Sequence, residues 1–116
     1  MTTGEFELFK SEFTRWQKIL GLTGYKVYFK YAHVDGGYAE ITVNQQDMVA
    51  TVTLCNDLTA ENKTLCHIEL SAKHEALHLL LFKLEWLACC RYLDDAEVPQ
   101  EVESLVFKLE ELVKDA

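Results

Sequence analysis

From Leu65 to about Tyr92 the chain reads as one long helix, and its middle is apolar nearly all round. Leu77, Leu79, Leu80, Leu81, Phe82, Leu84, Trp86 and Leu87 point in every direction about a helical axis. Such a helix cannot lie on a surface, so the spacing predicts a central helix with other elements packed on several sides. That constraint organises the rest of the chain around it. His78, Lys83, Glu85 and Arg91 interrupt the run, which makes it too polar to span a bilayer.

The flanking segments supply those elements. In residues 6 to 20, "FELFKSEFTRWQKIL", the residues Phe6, Phe9, Phe13, Trp16, Ile19 and Leu20 recur at spacings of three and four, one apolar helical face closed by Gly21 and Gly24. "YKVYFKY" alternates as a strand does, with Tyr25, Val27, Phe29 and Tyr31 on one side. Asp35, Gly36 and Gly37 suit a tight turn. "YAEITVN" and "MVATVTL" alternate again on either side of the turn-like "NQQD", and three strands with short links predict an antiparallel meander. "CNDLTAENK" is polar and reads as a loop. After the break at "DDAEVPQ", Pro99 suits the first turn of a last helix reaching about Lys114. Its stripe is Val102, Leu105, Val106, Leu109, Leu112 and Val113. The expectation is an α+β fold in a single domain, residues 1–116: N-terminal helix, three-stranded antiparallel sheet, central helix and C-terminal helix.

The central helix carries "HEALH", His74 to His78, in this apolar setting. Polar groups packed into such a helix require partners. His74 and His78 stand about 40° apart around the axis and about 6 Å along it, a separation two imidazoles can close onto one ion. Glu75 is rotated about 100° from His74, so its carboxylate lies beside the ion, in reach of a water activated there. The spacing therefore sorts these residues into two metal ligands and one general base. A catalytic zinc takes a third protein ligand, and no third histidine follows the motif. The candidates are Asp94, Asp95, Glu97, Glu101, Glu103, Glu110 and Glu111. Glu103 borders the apolar stripe of the last helix, and Glu101 borders its other edge as the alternative. His67 is two turns before His74, about 10 Å away, too far to share the ion; with Tyr38 or Tyr92 it could line a cleft. His33, beside the Asp35 turn, reads as a loop residue.

Charge and cysteines narrow the class. Nineteen acids against eleven Lys and Arg give a formal charge of -8, with no basic cluster to meet a phosphate backbone, so nucleic acid is an unsuitable partner. The N-terminus "MTTGEFELFK" lacks the basic and apolar regions of a secretory signal, and a cytoplasmic protein with no membrane association is expected. Cys55, Cys66, Cys89 and Cys90 form no C-x-x-C pair and read as buried thiols in a reducing compartment, with a zinc-thiolate or disulfide role as the alternative.

With these residues in place, the chain resembles the zincin metallopeptidases, specifically the glutamate-ligand branch called gluzincins. More closely, it is similar to small metallopeptidase domains encoded by bacteriophages and prophages. The likeness lies in "RWQKILGLTGYKV", in a strand ending "ATVTL", in "KHEALHLLL", and in Glu103 two residues before the aliphatic pair Leu105 and Val106. It implies Zn2+ held by His74, His78 and Glu103, Glu75 as base, and Ala50 to Leu54 as an edge strand along which a peptide or protein substrate lies. Many members show two adjacent glutamates before the aliphatic pair, whereas here Val102 precedes Glu103. The expected activity is zinc-dependent hydrolysis of peptide bonds. The alternative is a non-catalytic protein of similar shape that binds a host or viral partner, with metal structural or absent.

Overall fold

The computed structural model describes residues 3–58, 64–90 and 96–112. In chain order the elements are helix α1 (Thr3–Ile19), strands β1 (Lys26–Ala32), β2 (Ala39–Asn44) and β3 (Val49–Cys55), and helices α2 (Leu65–Ala88) and α3 (Glu97–Leu112). The α+β class and the order of helices and strands agree with the periodicities in the sequence. Helix α2 ends four residues before the expected Tyr92, and Tyr92, Asp94, Asp95, Val113 and Lys114 lie outside the described residues.

Helix α1 buries Phe9 and Phe13 completely, and both rings meet Phe29 of β1 edge to face, at centroid distances of 6.4 and 5.6 Å. The helix stops at Gly21, whose φ of 69° is a left-handed conformation that a Cβ would disfavour. There the Leu22 amide donates to the Gln17 carbonyl and the Gly21 amide to the Lys18 carbonyl, which satisfies the last turn as a Schellman cap does. The buried Gln17 side chain then donates from Nε2 to the carbonyls of Leu22 (2.9 Å) and Tyr25 (3.0 Å), tying the helix to the start of β1.

The sheet differs from the expected antiparallel meander. Its order is β1-β3-β2, with β3 inserted between the other two. Only β2 and β3 form an antiparallel pair; β1 runs parallel to β3, Val27 opposite Ala50 and Phe29 opposite Val52. The physical reason lies in the side chains. Strand β3, "VATVTLC", carries no charge, and Ala50, Val52, Thr53, Leu54 and Cys55 are all buried. Strands β1 and β2 carry Lys26, Lys30 and Glu40, which suit a sheet edge where one side of the strand meets water. Residues 33–38 cross the end of β3, with Gly36 at φ 71°. The crossing is held by the Cys55 amide donating to the Tyr38 carbonyl and the Asn56 amide to the Ala32 carbonyl.

Helices α1 and α2 cover the sheet face bearing Val27, Phe29, Ile41, Val43, Ala50, Val52 and Leu54. Ala72 and Ala76, one turn apart on α2 and fully buried, let that helix approach its neighbours closely. Enclosure of α2 is less complete than its composition suggests. Ile68, Leu79, Leu80 and Leu87 are buried, but Leu70 and Leu81 are exposed, so one side of the helix faces solvent. Helix α3 adds Leu105 to the core and leaves Val102, Val106, Phe107 and Leu109 exposed. No helix among the described residues is long and apolar enough to cross a membrane.

Candidate metal centre

The open side of α2 is where the histidines stand. Thr64 caps the helix start, accepting the His67 amide at Oγ1, and helical geometry then fixes which side chains share a face. His67, Ser71, His74 and His78 fall at spacings of four, three and four and form one stripe. His74 and His78 are exposed, with ring centroids 4.8 Å apart and planes at 73°. Their Nε2 atoms are 3.2 Å apart. Ligand atoms bonded at about 2.0 to 2.1 Å to a tetrahedral zinc lie about 3.3 to 3.4 Å from one another. The two nitrogens therefore fit two adjacent corners of such a shell.

Glu75 turns inward from this stripe and is only 6% exposed. Burial raises its carboxyl above the ordinary value; the His74 and His78 imidazoles pull it back down, and the Glu40 carboxylate adds to the rise. A buried, proton-hungry carboxylate beside two converging imidazoles has the properties of a general base.

A cleft of about 340 Å³ opens beside the pair, lined by Gly37, Tyr38 and Ala39 from the start of β2 and by His67, Leu70, Ser71, His74 and Glu75 from α2. The Tyr38 and His67 rings stack across it, centroids 5.8 Å apart and planes at 11°, and His67 Nδ1 is 2.6 Å from Thr64 Oγ1. His67 and Tyr38 thus line the cleft. Leu70 and Ser71 line it as well, and their spacing of three and four from His67 and His74 is the signal that places them there.

Glu97 and Glu101 of α3 are placed elsewhere. Glu101 pairs with Lys83 (Oε1 to Nζ, 3.5 Å), and Lys83 lies about 180° around α2 from His74. Glu97, Gln100, Glu101 and Ser104 gather with Lys83 and Leu87 on that far face. Glu101 is therefore occupied away from the histidines. Glu103 is exposed on a helix docked to the same far face. Among the described residues, no histidine, cysteine, aspartate or glutamate completes a compact three-ligand group with His74 and His78. The structure brings the His74 and His78 nitrogens together, turns the buried Glu75 inward from them on the same helix, and does not bring Glu103 to the pair.

The expected edge strand also moves. Ala50 to Leu54 belong to the central strand, with both sides already paired, so no peptide can add there. The edge bordering the cleft is β2, which packs on α2. No protein-family model, curated protein or solved structure matches the chain.

Proposed function

We propose that this protein is a zinc-dependent metallopeptidase of the small, phage-encoded kind that its sequence resembles, acting in the cytoplasm on peptide or protein substrates. The observation that carries this reading is the 3.2 Å convergence of the His74 and His78 Nε2 atoms beside the buried Glu75. A zinc ion held by His74 and His78 would supply Lewis acidity, lowering the pKa of a water toward ~7 and polarising a peptide carbonyl. His74 and His78 fix its position from the rigid middle of α2. Glu75, with its raised proton affinity, takes the proton from the attacking water and returns it to the leaving amine. A substrate laid along the β2 edge gains backbone hydrogen bonds, a mode of recognition tolerant of sequence. Glu103 does not stand with the imidazoles, and among the described residues no other side chain takes the third protein position of a catalytic zinc, so the reading rests on the two histidines and the buried Glu75.

Zinc analysis and peptide hydrolysis test it together. The parent should hold one equivalent of zinc more than a His74→Ala/His78→Ala variant, and Glu75→Gln should keep that equivalent while losing hydrolysis of a mixed peptide pool. Equal zinc in parent and double variant would contradict the reading.

A second reading has its own support. Val102, Val106, Phe107 and Leu109 expose an apolar face on α3, as expected of a non-catalytic protein that binds a partner. In that case Glu75→Gln changes neither partner binding nor any hydrolysis.

A further inference from the structure

We infer that His33, Cys55 and Asp57 form a second cation site, of the borderline class that zinc represents, at the end of the sheet where residues 33–38 cross β3. Their donor atoms all lie within 4.8 Å of one another. The three residues come from two segments, the exit of β1 and the exit of β3. His33 Nδ1 is 2.6 Å from Asp57 Oδ2, and the Cys55 thiol donates to Asp57 Oδ1 at 2.6 Å. A thiolate, an imidazole and a carboxylate are the three donor types zinc takes from proteins.

Two features distinguish this group from a chance meeting of polar side chains. The first is an outer carboxylate. Asp35 Oδ1 is 2.8 Å from His33 Nε2, on the far side of the ring from Asp57. That is the arrangement by which a carboxylate orients a ligating imidazole and raises its basicity. The second is the rigidity of the floor. Cys55 is 4% exposed at the end of the central strand, and its own amide and that of Asn56 are bonded to Tyr38 and Ala32. His33, Asp35 and Asp57 are exposed, so water can complete the shell.

Binding exchanges protons for the ion. The thiol proton, and any proton on His33 Nδ1, leave to solvent as the cation takes their place. Tetrahedral bonds of about 2.3 Å to sulfur and about 2.0 to 2.1 Å to nitrogen and oxygen set the donors about 3.3 to 3.6 Å apart. The present 2.6 Å contacts therefore open by about 1 Å, which the exposed His33 and Asp57 side chains can accommodate. The site would clamp the crossing segment, whose Gly37 and Tyr38 also wall the cleft beside His74.

The test uses the full chain carrying His74→Ala and His78→Ala, so that its outcome is independent of the first site, titrated with cobalt(II) chloride. One equivalent should bind with a near-ultraviolet thiolate-to-cobalt absorption. Cys55→Ser, His33→Ala and Asp57→Asn, each added separately, should abolish the band or weaken binding by at least about tenfold. Circular dichroism checks folding; His33 and Asp57 are exposed, so their variants carry the test if Cys55→Ser does not fold. Absence of the band in the starting variant, or its retention at undiminished affinity in any folded variant, would overturn the site.

Discussion

At the scale of single residues, the site turns on three neighbours with different surroundings. His74 and His78 face solvent with converging nitrogens, while Glu75 faces the core. Truncating one imidazole removes a ligand that no other described side chain replaces. His78→Ala should therefore weaken zinc binding by at least about 100-fold, since losing a ligand costs more than the roughly 10- to 100-fold of losing an outer-shell partner, whereas Glu103→Gln should leave it within about twofold. Isothermal titration of the metal-free protein separates these outcomes. Glu75 also sets a pH dependence. Its folded carboxyl sits above the ordinary value because burial outweighs the two imidazoles, so the folded chain holds that proton more tightly than the unfolded chain. The stability it contributes is full below the ordinary carboxylate range and falls as the pH rises through the raised folded value. Glu75→Gln should accordingly raise the Tm of the metal-free protein at pH 7 relative to the parent, and that gain should shrink on going to pH 4. A lower Tm at pH 7 would mean that the carboxylate has a stabilising partner. The motif was legible in the sequence because helical spacing is local: four residues alone decide that His74 and His78 meet.

Elements show where local reading stops. The strands were legible from alternation, since Val27 and Phe29, Ile41 and Val43, and Ala50 and Val52 each mark an inward face. Their order was not, because alternation reports which face is covered and says nothing of which edge is paired. The signal lay in the charges: Lys26, Lys30 and Glu40 sit on the outer strands and none on β3. The same non-locality hid the cleft, whose second wall comes from Gly37 to Ala39, some thirty residues before the α2 wall it faces. It also hid the placement of α3: of the stripe read from its amphipathicity, Leu105 reaches the core while Val102, Val106 and Leu109 stay exposed, and the pattern does not say which face of α2 the helix meets. Local caps, by contrast, are predictable. Gly21 closes α1 with a left-handed φ, and Gly21→Ala should cost about 1 kcal/mol in urea denaturation with an unchanged m-value. No loss would indicate that the chain leaves the helix by another route.

The whole molecule is a sheet with α1 and α2 on one face and α3 beside α2, and its core passes through a few large side chains. Phe13 is fully buried where α1 meets β1. Phe13→Ala should remove about 3 to 5 kcal/mol, a large share of the roughly 5 to 15 kcal/mol typical of a domain, and thermal unfolding should fall steeply. Because α2 belongs to that same core through Ile68, Ala72 and Ala76, loosening the core should also reduce zinc affinity without touching a ligand. The histidines are only as well positioned as the packing behind them.

The most direct measurement is anomalous scattering at the zinc absorption edge from crystals of the full chain grown with zinc chloride. A single ion about 2.0 to 2.1 Å from both the His74 and His78 Nε2 atoms, with Glu75 beside it but not bonded to it, is the predicted result. Zinc absent from that position, or bonded to one ring while the other turns away, would contradict it.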